Sequence, residues 1–195
     1  MTRTTNFKRV AEMNAAFGNQ PGNPAAINVV KLRNQSRNIL DEYCELQLAL
    51  GASPQTVQAL RDAAKGISYA SEAIELDDVR DALSDIHVFA YGAHHIMGID
   101  ADKDMDAVVD GVMTRFVKDE TDKQATIALH ASRGVTHVYF EGTFPRMVMK
   151  SAEDQPDAPK GKFLKSSSYT NTKFHEPASS EAQRRHGEIM KYLSE

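Results

Sequence analysis

The sequence predicts a mainly α-helical fold carrying one small β element, and three observations lead there. Apolar residues recur at intervals of three and four through most of the first 130 positions. Glycine, proline and small capping residues break that pattern into stretches a few turns long. Only 135–151 is instead rich in β-branched and aromatic residues. At 195 residues, with 41% hydrophobic and 26% charged, a single domain spanning 1–195 with its own core is expected.

The elements follow in order. Phe7, Val10, Met13 and Phe17 make 6–17 a short amphipathic helix, and GNQPGNP (18–24) ends it in a loop. A long helix is expected over 27–50, with Val29, Leu32, Ile39, Tyr43, Leu46 and Leu50 on its apolar side. Gly51 stops it. Ser53 as N-cap and Pro54 in the first turn then start a short third helix that ends near Gly66.

Helical spacing resumes over 72–97, where Leu76, Val79, Leu83, Ile86, Phe89, Ala90 and Ala93 form the expected buried stripe and Gly98 the stop. Met105, Val108, Val112 and Phe116 mark a helix over 101–117, and 120–133 is one more, closed by Gly134. The run 135–151 reads as a β-hairpin around Glu141-Gly142, with Pro145 at an edge or a strand start in its second arm. Residues 152–174 read as a polar, locally basic loop, and 180–193 as a final amphipathic helix with Ile189, Met190 and Leu193.

Composition narrows the function classes. No apolar run approaches the ~20 residues needed to cross a bilayer. Arg3, Lys8 and Arg9 are not followed by an apolar stretch, so no signal peptide is expected. The single cysteine, Cys44, leaves no internal disulfide and suits a reducing cytoplasm. Its acidic neighbours would raise a thiol pKa, so Cys44 reads as a small buried thiol. A net charge of −4 argues against broad nucleic-acid binding. It leaves room for a nucleotide ligand, because a metal ion can bridge carboxylates to phosphates.

Two acidic clusters carry the chemistry. Glu42 and Glu45 lie three apart within Asp41-Glu42-Tyr43-Cys44-Glu45, and Asp81 and Asp85 four apart within 78–85. On helices such pairs share a face and repel by about 0.2–0.5 kcal/mol each, which invites a compensating cation. Mg²⁺ takes hard oxygen ligands and is commonly held by carboxylates together with substrate phosphates. Asp41 or Asp78 would add a ligand or orient a water. His87, His94 and His95 are spread around their helix by offsets of one, seven and eight, so no histidine metal site is expected.

LRNQSRNILDEYCELQLAL (32–50) followed by DALSDIHVFAYGAHHIMGID (81–100) resembles the all-α nucleoside triphosphate pyrophosphohydrolases. This superfamily includes MazG-like enzymes, α-helical dUTPases and dCTPases, and phosphoribosyl-ATP pyrophosphohydrolase. Its signature is Glu-x-x-Glu on one helix and Glu-x-x-Asp on a later one. Glu42 and Glu45 match the first half, with Asp41 as the preceding acid, and Asp85 matches the final Asp. The remaining family Glu falls at Ala82, where Asp81 substitutes as in the Asp-x-x-x-Asp variant of phage-type members; the other register is Asp78 with Asp81. Ala16-Phe17-Gly18 resembles the opening of the dUTPase-like branch, and Met113-Thr114-Arg115-Phe116 a later segment, though Val112 stands where a polar residue is usual. Gly161-Lys162-Phe163-Leu164-Lys165 with Tyr169 resembles the tail that closes over substrate, and 120–151 an insertion of phage and Gram-positive members.

The resemblance implies an antiparallel helical bundle with a small α-plus-β-hairpin insertion near 120–151. It also implies Mg²⁺-dependent (Mn²⁺ being an alternative) hydrolysis of a nucleoside triphosphate to monophosphate and pyrophosphate, on a deoxynucleotide such as dUTP or dCTP. The implied metal ligands are Glu42, Glu45, Asp81 and Asp85, with Asp41 or Glu42 in the catalytic role of general base. Arg115, Lys162 and Lys165 would contact phosphates, and Asn14, Phe17 and Tyr169 the base or sugar, though Phe17 reads first as core. A homodimer or homotetramer is implied, without nucleic-acid or membrane partners. The alternatives are a phosphoribosyl-ATP pyrophosphohydrolase and a non-catalytic binding module on the same scaffold.

Overall fold

The structure is a computed structural model that describes residues 4–71 and 73–174; the helix expected over 180–193 lies outside the described residues. Six helices are present among them: α1 (Asn6–Ala16), α2 (Val29–Ala49), α3 (Pro54–Lys65), α4 (Leu76–Met97), α5 (Ala101–Met113) and α6 (Glu120–Ala131). Three short strands follow: β1 (Val138–Glu141), β2 (Val148–Ser151) and β3 (Phe163–Leu164). The fold is mainly α with one small antiparallel sheet. Two compact units emerge, Gly22–His87 and Met1–Pro21 together with Val88–Glu195, so the residues of α4 are shared between them.

In the unit Gly22–His87, capping chemistry sets the helix ends. Asn28 accepts from the Lys31 N–H at the start of α2, and Gly51 follows its end at φ +93, where a side chain would be strained. Ser53 accepts from the Thr56 N–H and Pro54 opens α3, as its sequence predicts. Helix α2 packs against α3, and Cys44 and Val57 are the buried residues there. The Arg33 guanidinium donates to the Ser71 carbonyl at 2.5 Å and lies 4.0 Å from the Tyr69 ring centre, holding the segment after α3 against α2.

The other unit is built differently. Asn6 and Arg9 on α1 reach carboxylates along α5: Asn6 Nδ2 donates to Asp102 at 2.6 Å, and Arg9 pairs with Asp106 and Asp110. Phe17, Phe116 and Phe163 meet as three rings, with centres 4.7 and 5.0 Å from Phe17. The sheet runs β1-β2-β3, with Phe140 opposite Met149 and Met149 opposite Leu164. Its inner face buries Val135, Met149, Ala158 and Leu164, against which Ile127 of α6 packs. Burying four such side chains stabilises this unit by several kcal/mol, at about 1.5–3 kcal/mol for each large one.

Four expectations are corrected. Pro145 sits in the connection between β1 and β2, before the second strand begins. The stretch 152–174 is not wholly loop, because Phe163 and Leu164 pair with Lys150 and Met149 as a third strand. A two-residue strand shows no period of two, so the sequence carries no signal for it. Helix α5 ends at Met113, short of 117, because Val117 exchanges both backbone hydrogen bonds with Met147. Finally, α4 begins at Leu76 and buries none of its residues; Leu76, Ile86 and Phe89 of the expected stripe are exposed. Periodicity identifies a face that must be covered, not what covers it.

Candidate functional site

Helix α2 carries Asp41, Glu42 and Glu45, and the first half of α4 carries Asp78, Asp81 and Asp85, all within Gly22–His87. Every one of these side chains is exposed. Asp41 lies 3.8 Å from Arg61 of α3, and nearby Asp77 lies 3.1 Å from Arg80. Glu42, Glu45, Asp81 and Asp85 have no ion pair or hydrogen bond from their side chains among the described residues. Local cations therefore meet Asp41 and Asp77, and leave Asp78 and the two repelling pairs without one among the described residues.

The four carboxylates offer hard oxygen donors of the kind Mg²⁺ takes, so the donor set suits that ion chemically. In the single chain, no group of three or more His, Cys, Asp or Glu residues is gathered to hold a metal among the described residues. Each acidic pair thus stands alone on its helix. Cys44, between the two glutamates in sequence, is fully buried and free, in keeping with its reading as a small buried thiol.

A second constellation lies in the other unit. The Lys165 ammonium is 4.0 Å from the Tyr169 ring centre, and the Arg115 guanidinium is 5.7 Å from it. The neighbouring Lys165 ammonium holds the Tyr169 phenol below the ordinary tyrosine range, assisted by Arg115. Arg115 Nε is buried and has no hydrogen-bond partner among the described residues. Two cations and a phenol donor in one place suit an oxyanion, which would accept charge-assisted hydrogen bonds from all three. Lys162 stands apart from them, donating from Nζ to the Asp157 carbonyl at 2.5 Å.

The segment bearing Lys165 and Tyr169 is pinned by residues that sequence reasoning missed. Asp122 of α6 is only 4% exposed, and it accepts from Ser167 Oγ at 2.7 Å, from the Lys118 N–H at 3.1 Å and from Ser168 Oγ at 3.2 Å. Burial pushes its carboxyl up, but these hydrogen bonds outweigh that and hold it below the usual carboxylate range. Thr126 Oγ1 accepts from the Ser167 N–H at 2.9 Å, and His130 Nε2 lies 2.9 Å from the Lys165 carbonyl oxygen. On the other side, the Ser166 N–H donates to the Arg115 carbonyl, and the Thr170 N–H to Thr114 Oγ1 at 3.0 Å. The chain then passes so close to α5 that a Cβ on Gly111 would lie 2.8 Å from Thr172 Oγ1. The run Ser166-Ser167-Ser168 is a visible polar cluster, but its partner lies more than 40 residues earlier.

The remaining predicted contacts are engaged elsewhere. Asn14 donates to the Val10 carbonyl at 3.0 Å and accepts from Asn19. Phe17 is half-buried in the aromatic trio, which accords with its reading as core. His94 lies 3.7 Å from Asp104 and near the Ala90 carbonyl, while His87 and His95 are exposed.

The chain matches no family model, no curated protein and no solved structure. No helix among the described residues is long and apolar enough to cross a membrane.

Proposed function

We propose that the protein is a Mg²⁺-dependent nucleoside triphosphate pyrophosphohydrolase. It would act on a deoxynucleotide such as dUTP or dCTP, on an antiparallel bundle of the all-α pyrophosphohydrolase type. One observation carries the reading: Glu42 with Glu45, and Asp81 with Asp85, are exposed like-charged pairs that no cation of the described chain compensates. An external cation would relieve the repulsion within both pairs, which lie on two helices of one unit.

Glu42, Glu45, Asp81 and Asp85 would hold Mg²⁺. Bound there, the ion would neutralise triphosphate charge and lower the pKa of a coordinated water. Asp41 or Glu42 accepts the proton of the attacking water, whose oxygen bonds to the α-phosphorus. The bond from that phosphorus to the bridging oxygen breaks, and pyrophosphate leaves. By the resemblance, Arg115 and Lys165 would contact phosphate oxygens, as would the Tyr169 hydroxyl. Lys162 would join them on exchanging its bond to the Asp157 carbonyl.

A homodimer or homotetramer belongs to the same proposal. Its support is the uncovered side of α4, where Phe89 is 75% and Ile96 86% exposed. A non-catalytic nucleotide-binding module is the second reading, favoured by Ala82 at a ligand position and by the ungathered carboxylates. Product analysis by phosphorus NMR separates the outcomes. Monophosphate and pyrophosphate support the proposal. Diphosphate and inorganic phosphate contradict the site of attack, and unchanged substrate favours the binding module.

A further inference from the structure

We infer that Asp122 is a positioning residue, whose buried carboxylate holds Lys165 and Tyr169 beside Arg115 as a preformed oxyanion site. The inference rests on reading those three residues as phosphate contacts, but it concerns a residue far from them in sequence.

The geometry is a chain of short links. Asp122 fixes Ser167 and Ser168 by their hydroxyls, and Thr126 fixes the Ser167 backbone. Ser167 lies between Lys165 and Tyr169, so both side chains inherit its placement. Ser166 binds the Arg115 carbonyl through its N–H and the Thr114 carbonyl through its hydroxyl, which ties the same segment to the third member. The stub Lys118-Asp119 contributes as well: Asp119 caps α6 at the Asp122 N–H, and the Lys118 N–H meets Asp122 Oδ2.

A simple packing role would not require this arrangement. Burying a carboxylate costs free energy, and an apolar residue would fill the position without that penalty. Here the charged acceptor is satisfied three times over, by one backbone group and by two hydroxyls of the segment that carries Lys165 and Tyr169. Charge-assisted hydrogen bonds are short and directional, which suits holding a loop in one register. Held in this way, two cations and a phenol face an arriving oxyanion without first being ordered.

The test needs no turnover and no metal. Ultraviolet titration of the full-length protein follows tyrosine ionisation, and Tyr169→Phe identifies the component due to Tyr169. Calorimetry measures binding of inorganic pyrophosphate. In Asp122→Asn, the Tyr169 component should move up towards the ordinary tyrosine range, and pyrophosphate affinity should fall about tenfold. Should Asp122→Asn not fold, Ser167→Ala removes one hydroxyl and leaves the carboxylate bound by Lys118 and Ser168. It should shift both readouts in the same direction by a smaller amount. A folded variant with unchanged Tyr169 titration overturns the inference, even where affinity drops. Wild-type protein that does not bind pyrophosphate overturns it too. Pyrophosphate binding without nucleotide turnover instead contradicts only the pyrophosphohydrolase reading.

Discussion

Ser167 donates its hydroxyl to Asp122 across 2.7 Å and 45 residues of sequence, joining the tail of the chain to helix α6. That link gives the tail a fixed path past Arg115, where otherwise a polar, basic segment would be free to sample many conformations. The same bond makes the unit sensitive to acid, because a protonated carboxyl is a poorer acceptor.

The direction of that sensitivity follows from linkage. The folded-state pKa of Asp122 is depressed, so its stabilising contribution is complete above the unfolded value of about 3.9. It is lost as pH falls from there through the lower folded value. Acid unfolding followed by circular dichroism should therefore show a stability loss beginning near pH 4 that is smaller in Asp122→Asn. At neutral pH the variant should be about 1–3 kcal/mol less stable. Identical acid profiles would mean that Asp122 bears no such load.

Lys165→Ala and Arg115→Ala should each raise the KM for a triphosphate by about tenfold, because each removes a charge-assisted contact. Lys162→Ala should have a smaller effect, since its ammonium is held by the Asp157 carbonyl. Steady-state kinetics on the three variants check this order, and equal effects would show that giving up the Asp157 carbonyl costs Lys162 nothing.

The acidic pairs can be separated by their register. Glu45→Gln and Asp85→Asn should each abolish turnover, whereas Asp78→Asn should reduce it only slightly. Asp78→Asn proving fatal while Asp85→Asn is tolerated would place the second pair at Asp78 and Asp81. The measurement is the rate of pyrophosphate release at saturating Mg²⁺.

These sites were unequally legible in the sequence. Ser53-Pro54 and Gly51 announced their helix ends because capping and left-handed stops depend on neighbouring residues. Cys44 could be assigned to the interior from its own chemistry. The Phe163–Leu164 strand and the Asp122 network could not be read, because both depend on partners far along the chain. Helix α4 shows a third limit. Its apolar spacing predicts the helix, but spacing alone says nothing of whether the stripe is covered.

The uncovered stripe leads to a prediction about assembly. Sedimentation velocity should give a dimer or tetramer, and Phe89→Glu or Ile96→Glu should shift it towards monomer by placing a charge on an apolar contact. A monomeric wild-type protein would contradict the assembly.

Mg²⁺-dependent release of pyrophosphate from dUTP, dCTP and a panel of other triphosphates tests the central claim most directly. The account predicts release by the wild-type protein that is abolished by EDTA, restored by Mg²⁺ and absent in Glu45→Gln. Release that persists in Glu45→Gln, or no release from any triphosphate, would contradict it.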